Sequence, residues 1–179
     1  MKRKTNIILI GMPAAGKSTV GVLLAKALNK HFIDTDIYIQ QKEGKPLQVL
    51  LDEVGHDDFC RLEQDYILRL QCCDTVIATG GSVPYGEKAM EHLKADGVVV
   101  YLYLPIDEIK HRLTNLSTRG VVIDKGQSLD ELYNRRAVLY DKYADVKVDA
   151  TGLTHEQTID AIAGMLRQND NDESNRGLV

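Results

Sequence analysis

Eight residues, Gly11-Met12-Pro13-Ala14-Ala15-Gly16-Lys17-Ser18, fit the pattern G-x-x-x-x-G-K-[ST], a spacing suited to holding phosphate. Glycines at both ends let the backbone curl, so that successive N–H groups point inward at phosphate oxygens. A helix that starts here adds its positive N-terminal end. Lys17 reaches the terminal phosphates, and the Ser18 hydroxyl can ligand Mg²⁺. The expected ligand is a nucleoside triphosphate, ATP, contacted by Gly11, Ala14, Ala15, Gly16, Lys17, Ser18 and Thr19.

Further along, Asp34 and Asp36 flank Thr35. One such carboxylate can hold the Mg²⁺ shell through water, and the other can accept a proton from an acceptor hydroxyl. The alternative is an N-cap aspartate followed by a first-turn acid favoured by the helix dipole. Arg112, Arg119 and Arg136 matter because phosphoryl transfer is mostly positioning and neutralisation of charge on oxygens. Arg119 falls in a polar, aperiodic segment at 116–128, suited to a mobile lid that closes over ATP and excludes water, although a solvated surface arginine has the same signature. Arg135 and Arg136 are adjacent on one helix and point about 100° apart, so at most one faces a crevice.

The elements that position these groups alternate along the chain. Asn6–Ile10 is an apolar, β-branched run that reads as a buried strand, and Val20, Leu23, Leu24, Ala27 and Leu28 recur at helical spacing behind the loop. Phe32-Ile33 leads into Asp34, with helical spacing resuming at Ile37. Residues 46–71 read as two helices separated around Gly55, 74–79 as a strand ending at Gly80-Gly81, and 84–95 as a helix. Val98–Leu104 has the continuous apolar character of a strand covered on both faces, and Pro105 opens the next helix. Ser128-Leu129-Asp130-Glu131 has capping-box form, 146–148 is a last strand, and 154–167 a last helix capped by Thr154. Repeated strand–helix units predict an α/β fold, a three-layer sandwich around a parallel sheet of about five strands. In such sheets ligands sit at the carboxyl ends of strands, so Gly11–Ser18, Asp34–Asp36 and Gly80–Gly81 should converge on one crevice.

The 179 residues suit one domain over 1–167, and the polar run from Gln168 to Val179 has little to bury and should be disordered. A net charge of -4 argues against a general nucleic-acid or anionic-membrane binder. The expected partners are ATP and a small acceptor, with the protein itself a monomer. Three cysteines without a C-x-x-C and five scattered histidines fit a reducing cytoplasm and argue against a disulfide framework or a zinc site. The basic start and the apolar run after it superficially resemble a secretory signal. That run is short, however, and is broken by Gly11 and Pro13. Nor does any stretch approach the roughly 18 apolar residues that span a bilayer.

Taken together, these residues resemble the shikimate kinase family over about 5–167. The carriers are the loop followed by Thr19, Phe32-Ile33-Asp34-Thr35-Asp36, Phe59…Glu63, Ala78-Thr79-Gly80-Gly81, Arg119, and Arg136…Leu139-Tyr140…Ala144-Asp145. The resemblance implies an ATP- and Mg²⁺-dependent kinase making shikimate 3-phosphate in aromatic amino-acid biosynthesis, on a P-loop nucleoside-monophosphate-kinase-like fold. It also implies that Asp34 serves Mg²⁺, Asp36 binds and deprotonates the acceptor hydroxyl, and Arg119 stabilises the transferring phosphate. Arg112 would lie against adenine, and Arg136 would grip an acceptor carboxylate.

The departures fall mainly on the acceptor side. The family pattern F-R-x-x-E carries an arginine that helps hold the shikimate carboxylate, and here that position is Cys60, with Arg61 one residue later. One step along a helix turns a side chain by about 100°, so Arg61 is no simple substitute. The family's Gly-Gly-Gly reads Gly80-Gly81-Ser82, its lid Arg-Pro reads Arg119-Gly120, and Ala14 stands where glycine is usual. Cys60, Arg61, Gly80, Gly81, Ser82, Asp36 and Arg136 are thus the expected acceptor-binding set. Two alternatives stand beside shikimate: a P-loop kinase of another hydroxy acid, polyol or nucleotide, and a non-catalytic nucleotide-binding protein. Retention of Asp36, Arg119 and Arg136 together speaks against the last.

Overall fold

Each of the five expected strands joins one parallel sheet in the computed structural model, which describes residues 4–114 and 127–176. The strands are β1 (Asn6–Ile10), β2 (His31–Asp34), β3 (Thr75–Ala78), β4 (Gly97–Tyr103) and β5 (Val146–Asp149), in the order β2-β3-β1-β4-β5. β1 lies at the centre, with Ile8 opposite Ile77 on one side and Val99 on the other. Every residue of β1 is buried, which explains its unbroken apolar sequence. Because β3 and β4 flank β1 on opposite sides, the chain diverges at the carboxyl end of β1, where α/β sheets open a crevice.

Helices close both layers. They are α1 (Lys17–Ala27), α2 (Thr35–Glu43), α3 (Leu47–Val54), α4 (His56–Leu68), α5 (Glu87–Asp96), α6 (Ile106–Thr114), α7 (Leu129–Tyr143) and α8 (His155–Arg176). Their starts follow local chemistry. Ser128 and Glu131 form the expected capping box on α7. Thr154 and Gln157 exchange bonds at the head of α8, where Thr154 Oγ1 accepts from the Gln157 amide at 3.2 Å. Gly55, with φ 79°, separates α3 from α4 as the sequence predicts.

Two boundaries differ from expectation. The helix expected over 84–95 begins only at Glu87, after a short 3-10 turn at Val83–Tyr85 that contains Pro84 and ends at Gly86. Proline has no N–H to give to a longer helix, so the turn stops and restarts. The last helix, expected to end at residue 167, runs on to Arg176. A helix already nucleated by packed turns adds polar residues at little cost, which a reading of buried surface overlooks.

The main core joins β1, β3 and β4 to α1, α5, α7 and α8. A separate small cluster, Ile39, Leu50 and Phe59, holds α2, α3 and α4 together, and its Phe59 lines the crevice. Among the described residues, no helix is long and apolar enough to cross a membrane.

Candidate active site

The crevice at the carboxyl ends of the strands encloses about 340 Å³. Its lining includes Lys17 and Ser18 from the start of α1, Asp34 and Asp36 from the β2–α2 junction, Gly80 to Ser82 after β3, and Arg136 from α7. The three segments expected to converge therefore do so.

On the phosphate side, Gly16 is the N-cap of α1 and Lys17 its first residue. The Lys17 ammonium folds back on its own loop, donating to the carbonyls of Gly11 at 2.8 Å and Met12 at 2.9 Å. Ala14, the residue that stands in place of a glycine, takes the left-handed conformation at φ 65°. Ala14 and Ser18 line the crevice, whereas Thr19 is exposed on α1.

Asp34 serves as the N-cap of α2, accepting from the amides of Asp36 at 3.0 Å and Ile37 at 3.2 Å, both through Oδ1. Capping and function are therefore not exclusive readings, because both bonds fall on one oxygen while the residue also faces the crevice. Ser18 and Asp34 supply hard oxygen donors on the same wall, and Mg²⁺ takes one or two such protein ligands beside water and phosphate. No group of three or more His, Cys, Asp or Glu suited to a metal exists among the described residues.

The acceptor side is built around two glycines. A Cβ at Gly80 would stand 2.6 Å from Asp36 Oδ1 and would also collide with Glu63 Oε1, and one at Gly81 would stand 2.9 Å from a terminal nitrogen of Arg136. Bare backbone at these positions is what lets two carboxyl groups and a guanidinium crowd one wall. The Gly80 amide donates to Thr35 Oγ1 at 2.9 Å, tying the end of β3 to the head of α2. The Tyr140 hydroxyl donates to the Gly81 carbonyl at 2.9 Å, tying α7 to the same turn. Arg136 is 1% exposed and its guanidinium lies 5.6 Å from the centre of the Tyr85 ring, while Arg135 is exposed, so one of the pair faces the crevice as expected.

Three expected residues stand elsewhere. Arg61 is not an acceptor ligand in this arrangement: its side chain is 77% exposed and pairs with Asp58 at 2.7 Å on the outer face of α4. The one-residue offset from the family position turns it away from the crevice that Phe59 lines. Cys60 is half-buried with its sulfur 4.0 Å from His56 Nε2, and it is not among the crevice-lining residues. Arg112, in the last turn of α6, pairs with Glu108 at 3.0 Å. Arg119, Gly120 and most of the expected lid (116–126) lie outside the described residues.

Glu63 is a carrier of the family resemblance that the sequence does not mark as a site residue. It is 1% exposed, and burial together with the neighbouring Asp36 charge pushes its carboxyl up to about 8, opposed by a hydrogen bond with Ser82 and by the charges of Arg136 and Lys17. The Ser82 hydroxyl is thus turned to Glu63 in the wall. The signal in the sequence is the stripe Phe59, Glu63, Ile67: an acid one helical turn from an apolar residue on either side, on the face that α4 buries.

Known proteins resemble this chain in sequence and fold. A family model described as shikimate kinase matches residues 13–167. Shikimate kinase of Persephonella marina is 32% identical over 163 residues, covering 90% of this chain and 99% of its own. The Staphylococcus haemolyticus shikimate kinase is 37% identical over 150 residues, covering 83% of this chain and 87% of its own. Among solved structures, shikimate kinase from Acinetobacter baumannii in complex with shikimate superposes with a TM-score of 0.82 at 28% identity, over 92% of this chain and 94% of the other. The family-model match takes in Lys17, Ser18, both aspartates and Arg136 alike, and the chain belongs to the shikimate kinase family.

Proposed function

We propose that this protein transfers the terminal phosphoryl group of ATP to shikimate, giving shikimate 3-phosphate and ADP for aromatic amino-acid biosynthesis. The observation that carries the reading is that Asp36 and Arg136 open into the same crevice as Lys17 and Ser18. A nucleotide-binding protein needs the last two, and an acid acceptor needs the first two.

The loop amides and Lys17 bind the ATP phosphates and take up charge as it shifts onto the leaving oxygen. This requires the Lys17 ammonium to leave the Gly11 and Met12 carbonyls for the phosphates. Arg136 anchors the acceptor carboxylate, and Asp36 orients the acceptor hydroxyl and accepts its proton. The hydroxyl oxygen then forms a bond to the γ-phosphorus as the bridging oxygen leaves with ADP. Ser18 and, through a water shell, Asp34 would hold Mg²⁺, which when bound would supply charge neutralisation on the phosphates. By the family resemblance, Arg119 would act on the transferring phosphate, and Arg112 would lie against adenine once freed from Glu108. A monomer in a reducing cytoplasm completes the picture, supported by three free thiols, and the net charge of -4 speaks against nucleic acid as a partner.

A second acceptor of similar size is favoured by one observation: Arg61 turns to solvent, so Arg136 is the one arginine among the described residues lining the crevice. ADP release from ATP and Mg²⁺ across shikimate, quinate, gluconate, nucleoside monophosphates and hydroxy amino acids decides between them. Shikimate is expected to give the highest kcat/KM. Robust release with another acceptor and none with shikimate would overturn the assignment.

A further inference from the structure

Glu63 lies in the acceptor wall without a part in the mechanism above. Among the described residues it is the one acid that is fully buried. It is 1% exposed, and its Oε1 has no hydrogen-bond partner among the described residues. Oε1 and Asp36 Oδ1 both lie within 3.0 Å of the point where a Gly80 Cβ would stand, so the two carboxyl groups meet across a bare backbone. The charges acting on Glu63 are Asp36 from α2, Arg136 from α7 and Lys17 from α1, and the one hydroxyl it bonds is Ser82, after β3. On its own helix, Cys60 stands one turn before it, where the family pattern has an arginine.

An arginine three residues ahead on a helix would supply Glu63 with a cation. With cysteine there, a second negative charge beside Asp36 in a dry wall is disfavoured, because burial and a like charge both oppose ionisation. Ser82 can accept the proton of a neutral acid or donate to an anion, so it tolerates either state.

We propose that Glu63 is kept as the neutral acid in the acceptor wall, bonded to Ser82, and that loss of its proton weakens binding of the anionic acceptor. Glu63 is a positioning residue in this scheme. Its charge state sets whether the field that Arg136 presents to a carboxylate is opposed by one wall anion, Asp36, or by two. The inference rests on the reading that the acceptor is an acid, and it concerns a residue that the transfer step itself does not touch.

The burial-raised value near 8 fixes the window. Below it the wall holds one charge. Above it the competent, neutral fraction falls, and apparent affinity falls in proportion, about tenfold between pH 7 and 9. Two measurements test this. Infrared difference spectra of the ligand-free protein, wild type minus Glu63→Gln, should show a protonated carboxyl band at pH 7 that is gone at pH 9.5. Steady-state kinetics should show the shikimate KM rising about tenfold from pH 7 to 9, the ATP KM changing less than threefold, and the rise disappearing in Glu63→Gln. The infrared arm needs no acceptor, so it separates failure here from failure of shikimate as substrate. Absence of the carboxyl band at pH 7 would overturn the inference, and so would a wild-type shikimate KM that stays flat across the range.

Discussion

The Tyr140 hydroxyl donates to the Gly81 carbonyl at 2.9 Å, and the Gly81 backbone in turn lies against the guanidinium of Arg136. Tyr140 and Arg136 are one helical turn apart on α7 and both are buried, so one helix grips the glycine turn from two points. The arrangement fixes Arg136 through packing rather than through its own long, flexible stem.

Tyr140→Phe keeps the ring and removes the grip. A hydrogen bond of this kind contributes about 0.5–1.5 kcal/mol net. The expected result is a shikimate KM raised about three- to tenfold, with the ATP KM within twofold of wild type. Equal changes in both would mean that Tyr140 supports the whole core and not the acceptor turn.

Asp36→Asn keeps the shape of the side chain beside Gly80 and removes the base. Turnover should fall by about 10² or more, the usual scale for a positioned acid or base, with ATP binding within a few-fold of wild type. A matching loss of ATP affinity, measured by titration of the Mg²⁺ complex, would instead assign Asp36 to the metal shell and exchange its role with Asp34.

Glu63 also carries a stability signature. Its folded value near 8 exceeds the ordinary 4.5, so between these values the folded protein holds a proton that the unfolded chain has released. Stability from this group is full below about 4.5 and declines as pH rises towards 8. Glu63→Gln does not titrate and should gain on wild type over that window, by roughly 3–5 kcal/mol at its upper end. Urea unfolding at pH 5 and pH 8.5 reads the difference, and a Gln variant that loses ground at the higher pH would show Glu63 ionised in the folded state.

Ala14 holds a left-handed backbone at φ 65° in the phosphate loop. That conformation costs an alanine about 1–2 kcal/mol, while glycine adopts it freely but gives up about 0.4–1 kcal/mol through the unfolded chain. Ala14→Gly should therefore stabilise the protein by about 0.5–1 kcal/mol, or about 1–4 °C in Tm at this chain length. Calorimetry without nucleotide is the check, and an unchanged or lowered Tm would remove the case for strain in the loop.

Much of the fold and the phosphate site is legible in the sequence because it is local. The loop pattern and its flanking strand and helix predict the phosphate site, and the five apolar runs predict the sheet whose strand ends bring Lys17, Asp34, Asp36 and Gly80 together. Arg61 and Glu63 are harder to place for one shared reason: each depends on which way α4 is rotated. Its buried face carries Phe59, Glu63 and Ile67, and that rotation sends Arg61 outward to Asp58. Sequence spacing gives the period of a helix readily. The face that is buried is decided by long-range packing, here by the small cluster of Ile39, Leu50 and Phe59. Ser82 shows the same limit, since it lines the crevice and also acts on the buried Glu63, a pairing that sequence spacing does not reveal.

Cys60→Arg tests both departures of the acceptor wall at once. Position 60 is on α4, one residue past the crevice-lining Phe59 and three before Glu63. A guanidinium introduced there gains two partners, the acceptor carboxylate and the Glu63 carboxyl. Toward the acceptor it adds one charge-assisted bond, about 1.5–3 kcal/mol, part of which is spent on desolvation, so shikimate should bind about tenfold tighter. Toward Glu63 it adds a cation to those of Arg136 and Lys17 and should draw that carboxyl down from its value near 8, because an opposite charge favours the ionised form. The two effects are separable. Tighter binding appears at pH 7 in a direct titration with shikimate, whereas a drawn-down Glu63 removes the rise in shikimate KM between pH 7 and 9. Both changes together would show that this chain has kept the family's acceptor site with one charge replaced by a proton. Weaker shikimate binding, with the ATP affinity unchanged, would show instead that the wall beside position 60 is shaped for a different hydroxylated acid, since a site built around one set of polar groups rejects a ligand that leaves them unpaired.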